Sequence, residues 1–202
     1  MKMKKLIVLI SAIILLASFK NEGGYSIGDK ARDFKLKNID GNMFSLADKK
    51  DAKGFIIVFT CNHCPYAVKY QDRIIALNDK YAKLGYPVIA INPNDAASYP
   101  DDNFKNMKKR AKSKSFTFPY LVDDTQDIAK AYGASKTPHV FVLKKVNADL
   151  IVEYIGAIDD NTDDVSAVKV KYVNNAVDAL LASKPVPVTT TKAIGCGVKW
   201  KQ

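Results

Sequence analysis

An α/β sandwich is the fold class this sequence predicts, and three observations predict it. Short apolar runs alternate with helix-patterned segments along the 202 residues. The last two strand-like runs sit around a polar turn, which gives the sheet an antiparallel edge. A composition of 48% hydrophobic and 26% charged residues suits one domain with a sizeable core.

The chain starts with Lys2, Lys4 and Lys5, followed by twelve apolar or small residues from Leu6 to Ala17. That run is shorter than the roughly 20 residues a membrane span needs, and its positive start is that of an export signal. Residues 1–19 are therefore read as a signal peptide, with an uncleaved N-terminal anchor as the alternative. Ala17 and Ser18 satisfy only half of a small-x-small cleavage pattern. The domain is expected outside the cytoplasmic membrane, periplasmic or anchored facing the periplasm, where disulfides persist.

Residues 20–30 are polar and glycine-rich and read as a tether. A domain over 31–182 follows. In it, Ala31 to Leu36 and Asn42 to Leu46 flank Ile39-Asp40-Gly41, a hairpin signal. Phe55 to Thr60 is a continuous apolar run, as in a strand buried on both faces. Ala67, Tyr70, Ile74, Leu77, Tyr81 and Leu84 recur at three- and four-residue steps, predicting an amphipathic helix with Pro65 in its first turn and Gly85 at its end. Val88 to Ile91 is a second buried strand. A helix is expected from Asp101 and Asp102, a short strand from Pro119 to Val122, and a helix from Thr125 to Ala131 closed by Gly133. Val140 to Leu143 and Leu150 to Tyr154 form the closing strands, and Val165 to Leu181 a final helix. Ser183 to Thr191 reads as an extended linker. Ala193 to Trp200 is apolar enough to dock back, so 183–202 is a linker with a docking tail.

The formal charge of +10 falls to +7 without the three lysines of the signal. Lysines scattered among acids are not a nucleic-acid footprint. Three cysteines are too few for a disulfide scaffold, so they are read as chemistry.

Cys61-Asn62-His63-Cys64 stands at the passage from strand to helix. Helical residues three apart have Cβ atoms about 5–6 Å from each other, and a disulfide needs Cα atoms within about 4.4–6.8 Å. A thiol at a helix N-terminus is favoured as thiolate by free N–H groups and the dipole. A depressed Cys61 pKa is expected on that ground. Thr137-Pro138, directly before a strand, reads either as an ordinary turn or as a cis bond. A cis turn beside the thiols would leave the Thr137 backbone free to pair with an incoming peptide.

Together these segments resemble the thioredoxin superfamily and, within it, the redoxin or peroxiredoxin-like (AhpC/TSA-type) branch. The residues that carry the resemblance are Gly28-Asp29 with Ala31-Arg32-Asp33-Phe34, and Phe59-Thr60-Cys61-Asn62-His63-Cys64-Pro65-Tyr66. Asn92-Pro93-Asn94-Asp95 and Tyr132-Gly133 with Thr137-Pro138-His139-Val140-Phe141-Val142 follow in order, and Gly195-Cys196 before Val198-Lys199-Trp200 completes them. The resemblance implies a thioredoxin-like three-layer α/β/α sandwich with a central mixed sheet. It implies a thiol–disulfide oxidoreductase in which Cys61 attacks and Cys64 resolves, supported by Asn62, His63, Thr137 and Pro138, with no cofactor. His63 is expected to donate to the thiolate and stabilise the reduced form. The implied partners are protein thiols and disulfides and an upstream thiol donor or acceptor. Nucleic acid is not among them, and a membrane enters only through the N-terminal signal or anchor.

Two departures stand out. The strand Phe55 to Thr60 has no carboxylate to help deprotonate a resolving cysteine, as thioredoxins have. A thiol peroxidase needs P-x-x-x-T-x-x-C, and neither register supplies it: Ile57 and Cys61 precede Cys64, and Gly54 and Val58 precede Cys61. A peroxiredoxin-like peroxidase is thus an alternative without its threonine. A Cu(I)-binding module with Cys61, Cys64 and His139 is a second alternative. Cys196 is read either as a small residue buried in the tail or as a third thiol that exchanges with the pair.

Overall fold

A computed structural model describes residues 23–202. The proposed signal lies outside the described residues. The elements in chain order are β1 (Lys30–Ala31), β2 (Lys35–Asn38), β3 (Met43–Ser45), β4 (Gly54–Phe59), α1 (Pro65–Tyr81), β5 (Val88–Asn92) and α2 (Phe104–Ser113). They continue with β6 (Tyr120–Val122), α3 (Asp127–Tyr132), β7 (Lys136–Thr137), β8 (His139–Val146), β9 (Asp149–Gly156), α4 (Tyr172–Leu181) and β10 (Cys196–Gly197).

Eight strands make one mixed sheet in the order β1-β9-β8-β4-β5-β6-β2-β3. The neighbours β4–β5 and β5–β6 are parallel, and β4–β8 and β8–β9 are antiparallel. Every residue of β4 and β5 is buried, which is why those segments read as unbroken apolar runs. Alternation along β4 splits the core in two. Ile56 and Val58 join Tyr70, Ile74 and Leu77 of α1, Met107 of α2 and Val173 and Val177 of α4. Phe55, Ile57 and Phe59 join Ile128 and Tyr132 of α3 with Phe34 and Phe44 of the N-terminal hairpin. The result is the thioredoxin-like α/β/α sandwich, with α1, α2 and α4 on one face and α3 on the other.

Four expectations are corrected. The segment Val165 to Leu181 is not one helix: a 3-10 turn over Val165–Ala167 is separated from α4. Asp160 causes the break, because its side chain accepts from the Lys169 amide and its own amide donates to the Val170 carbonyl. The helix expected from Thr125 starts at Asp127, where the buried Asp123 carboxylate accepts the Ala129 amide at 2.7 Å. The described part of the tether is docked. Gly24 lies against Gly133 where no Cβ would fit, the Tyr25 amide donates to the Tyr132 carbonyl, and the two tyrosine rings meet edge to face. The segment read as a linker ends by pairing with β9, since the Ile155 amide donates to Thr189 and the Thr191 amide donates back to Ile155.

Candidate active site

Strand β4, central in the sheet, delivers Cys61 just past its C-terminal end, and the chain turns there into α1. Cys64 is the residue that caps α1, with Pro65 in the first turn, where a missing N–H costs little. The peptide bond between Thr137 and Pro138 is cis and lies across from the thiols. Both sulfurs converge on Thr137. Cys61 Sγ donates to Thr137 Oγ1 at 3.4 Å, and Cys64 Sγ donates to the Thr137 carbonyl at 3.2 Å. The two cysteines are buried in one small cluster with Ala67, and Cys196 packs against it.

The loop between the cysteines is held by polar groups that the sequence does not mark as a set. Asp102 is 1% exposed and accepts four hydrogen bonds. These come from the Asn62 amide at 2.6 Å, the His63 amide at 3.3 Å, His63 Nδ1 at 2.5 Å and Asn94 Nδ2 at 2.8 Å. Asn62 is buried as well. Its carbonyl accepts from Arg110 at 3.3 Å, its side-chain oxygen from the Tyr120 hydroxyl at 3.1 Å, and its side-chain nitrogen donates to the Asp101 carbonyl at 2.9 Å. Asp102 is thus a buried carboxylate beside Cys61 and the turn between the cysteines, its ligating oxygen within 4.8 Å of the Cys61 sulfur. Two adjacent acids before a helix look like capping residues, so nothing in the sequence separates the buried one from the exposed one. His63 is turned to Asp102 and stacks on Tyr99 at 5.2 Å, so its ring bonds to the acid rather than to a thiolate as expected.

The electrostatics reverse the expectation for Cys61. Its pKa is raised, first because its proton is held in a hydrogen bond to Cys64, then by burial and by the charge of Asp102. Cys64 goes the other way. The bond from Cys61 lowers its pKa most, and the Cys196 thiol and the amides of Ala67 and Cys196 lower it further, against the effect of burial. The helix start belongs to Cys64, whereas Cys61 precedes it in the loop, so the stabilisation expected for Cys61 falls on its partner. The two sulfurs titrate as a pair, with the hydrogen bond between them pushing Cys61 up and pulling Cys64 down.

Two further expectations change. The Thr137 backbone is not free, because β10 pairs with β7 antiparallel and sets Cys196 opposite Thr137. His139 is not gathered with the thiols. It shares the sheet face of Phe141, its ring 4.8 Å from that phenyl, while α1 covers the opposite face. Its Nδ1 accepts the Ser135 amide at 3.4 Å. Among the described residues, the ligating atoms that do gather are those of Cys61, His63 and Asp102, within 4.8 Å of one another. That mixed set lacks the second thiolate on which the Cu(I) reading rested.

Sandwich, thiol pair and cis-proline turn together give a thioredoxin-like fold with a candidate redox site. Residues 27–158 match the AhpC/TSA family, and the chain belongs to that family. Thiol-disulfide oxidoreductase ResA of Geobacillus thermodenitrificans is 25% identical over 146 residues, covering 69% of this chain and 78% of that protein. An uncharacterized conserved protein of Geobacillus kaustophilus has a solved structure that superposes with a TM-score of 0.80 at 40% identity, over 87% of this chain and 93% of that one. A hypothetical protein of Sinorhizobium meliloti gives 0.81 at 35% identity, over 88% and 96%. The enzyme class is thiol–disulfide oxidoreductase.

Proposed function

We propose that the protein is exported and exchanges disulfides with protein partners through the Cys61–Cys64 couple. The convergence of both sulfurs on Thr137 is the observation that carries this reading. On ionisation Cys64 gives up the proton it donates to the Thr137 carbonyl, and the proton of Cys61 is then shared between the two sulfurs in a hydrogen bond. Cys64 then acts as the base. It takes the Cys61 proton as Cys61 attacks one sulfur of the substrate disulfide. The substrate's S–S bond breaks, a Cys61–substrate bond forms, and the leaving thiolate recovers the proton from Cys64. The freed Cys64 thiolate attacks Cys61 Sγ and expels the second substrate thiolate. The substrate gains two electrons and the enzyme holds a Cys61–Cys64 disulfide.

The polar clamp of Asp102, Arg110 and Tyr120 on Asn62 keeps the turn between the sulfurs fixed through this cycle. Asn62, His63, Thr137 and Pro138 are positioning residues in this scheme. Export rests on the charged and apolar start of the chain. Among the described residues no helix is long and apolar enough to cross a membrane.

Insulin reduction with dithiothreitol as electron source tests the chemistry. The protein is expected to accelerate it, and Cys61→Ser and Cys64→Ser are each expected to return it to background. Unchanged turnover in either variant would remove the couple from the mechanism. Cell fractionation of the full chain, with N-terminal sequencing of the mature protein, tests export. Recovery in the cytoplasm with Met1 or Lys2 at the start would reject it.

A further inference from the structure

The tail binds where an incoming peptide would have to bind. At Thr191 it crosses Gly156, and Thr191 Oγ1 accepts the Ala157 amide at 2.9 Å. Gly195 then passes the Thr137 carbonyl so closely that a Cβ would stand 2.2 Å from its oxygen. Strand β10 pairs antiparallel with β7, and the Val198 amide donates to the Ser135 carbonyl at 3.1 Å. Buried side chains grip the last residues of the tail. Asn94 Oδ1 accepts the Lys199 amide at 2.9 Å, and Gln126 donates to the Lys199 carbonyl and accepts the Lys201 amide, each at 2.8 Å. Lys199 Nζ lies over the ring of Tyr99, the ring that stacks on His63.

Cys196 is the residue this strand presents to the thiols. Its amide donates to Cys64 Sγ at 3.4 Å, and its side chain packs on the Cys61–Cys64–Ala67 cluster. Under this cover Cys61 is 1% exposed and Cys64 is fully buried, so no partner reaches either sulfur while the tail is docked. A cysteine on an extended strand, paired at Thr137 and facing the couple, stands where a substrate cysteine would stand.

We propose that residues 189–201 are a built-in occupant of the substrate-strand edge and that Cys196 is a third redox thiol, which takes the disulfide from Cys61 by exchange at Cys64. The inference rests on the redox reading of Cys61 and Cys64. The Cys196 thiolate attacks Cys64 Sγ of the oxidised pair, a Cys64–Cys196 bond forms, and the Cys61–Cys64 bond breaks. Cys61 leaves as thiolate and takes up from solvent the proton that Cys196 released. No electrons are gained or lost overall. The exchange carries the oxidising equivalent into the tail and locks β10 across the edge. A reduced thiol partner reverses it and reopens the site. The protein partner that fits the same edge is an extended segment with glycine before its reactive cysteine, as Gly195-Cys196 has, because the Thr137 carbonyl leaves no room for a side chain there.

Two full-chain measurements test this. Oxidation by diamide, acid quenching and tryptic mapping are expected to give a disulfide between peptides 54–69 and 193–199 in the native protein. In Cys61→Ser that link is expected to be the dominant product. The second measurement pairs Gly195→Ala with Gly197→Ala. An added Cβ meets backbone at the first position and nothing within 4 Å at the second. Gly195→Ala is expected to raise the iodoacetamide alkylation rate of the reduced couple at least about tenfold, by opening the tail locally, with Gly197→Ala at the native rate. Absence of the linked peptide in Cys61→Ser, or equal alkylation rates for the two glycine variants, would overturn the proposal. Failure of the native protein and of both glycine variants to reduce insulin, with link and alkylation contrast intact, would instead remove the reading of function and leave the tail's docking standing.

Discussion

The two sulfurs lie between two walls of opposite construction. On the α2 side the wall is made of buried and half-buried side chains far in sequence from the turn they hold: Asp102, Arg110 and Tyr120 grip the Asn62–His63 turn from three directions. On the Pro138 side it is made mostly of backbone, with β7 carrying β10 on its outer edge. A wall of interlocked charged and polar groups cannot be displaced without stranding a buried carboxylate. A two-residue strand pair held by a few peptide bonds and two side-chain anchors opens at much lower cost. One side thus fixes the geometry of the couple, and the other decides whether anything reaches it.

The comparison breaks first at Asp102. Asp102→Asn removes a buried charge that accepts four hydrogen bonds and sets an amide group against donors. The expected loss is about 3 kcal/mol of stability, measured by urea unfolding. Because the Asp102 charge raises the Cys61 pKa, ultraviolet titration should find that thiol ionising at lower pH in the variant. An unchanged titration would mean that this wall fixes geometry without setting the charge.

The next effect is a pH dependence centred on His139, under the backbone wall. Burial lowers its pKa from 6.5 to about 4. The unfolded chain therefore takes up a proton near pH 6.5 that the folded protein refuses until about pH 4. Below pH 6.5 the unfolded state binds more protons, so stability falls as pH falls through this window. By pH 5 the loss is about 2 kcal/mol. His139 Nδ1 accepts the Ser135 amide, and the Ser135 carbonyl accepts the tail's Val198 amide, so the protection factor of the Val198 amide, the exchange rate relative to an open amide at the same pH, should fall over the same range. In His139→Gln the fall between pH 6.5 and 5 should largely disappear. If it persists, another buried group is responsible.

Gln126 sharpens the comparison from the tail. It is 1% exposed, adopts the left-handed conformation at φ 62°, donates to the Lys199 carbonyl and accepts the Lys201 amide. Asparagine tolerates that backbone but is one methylene shorter. Gln126→Asn is expected to cost about 1–2 kcal/mol and to quicken exchange of the Lys201 amide, with the Asn62 amide unaffected. Equal protection loss at Asn62 would show the two walls opening as one unit.

The difference between the walls also explains what the sequence disclosed. Continuous apolar runs made β4, β5 and β8 visible, since burial on both faces leaves no polar position to confuse the pattern. The step pattern of Tyr70, Ile74, Leu77 and Tyr81 disclosed α1 because one helix face is buried and the other is exposed. Cys61, Cys64 and Pro138 were legible because their chemistry is local to short motifs. Asp102 was not, since a carboxylate that meets its donors 39 residues away in the chain looks like any helix-capping acid. The break before α4 was hidden likewise, because the competitor for the helix backbone is Asp160, outside the segment. The raised Cys61 pKa arises from a neighbouring sulfur and a distant acid, which the spacing of the cysteines does not encode.

The smallest effect tests whether the fixed wall is a network or a set of separate contacts. Tyr120→Phe removes one hydroxyl, the donor to Asn62 Oδ1 at 3.1 Å, and leaves the ring in the core with Phe116. Asn62 keeps its amide on Asp102, its carbonyl on Arg110 and its side-chain nitrogen on the Asp101 carbonyl. A contact standing alone would cost about 1 kcal/mol and no more, the ordinary value for one hydrogen bond. In a network the loss of Tyr120 would also weaken the hold of Asp102, so a double-mutant cycle of Tyr120→Phe with Asp102→Asn should show a coupling of about 0.5–3 kcal/mol. Groups that share Asn62 as a common partner are expected to couple. Additive costs would mean that Asp102 alone sets the turn between the two sulfurs, with Tyr120 filling space beside it.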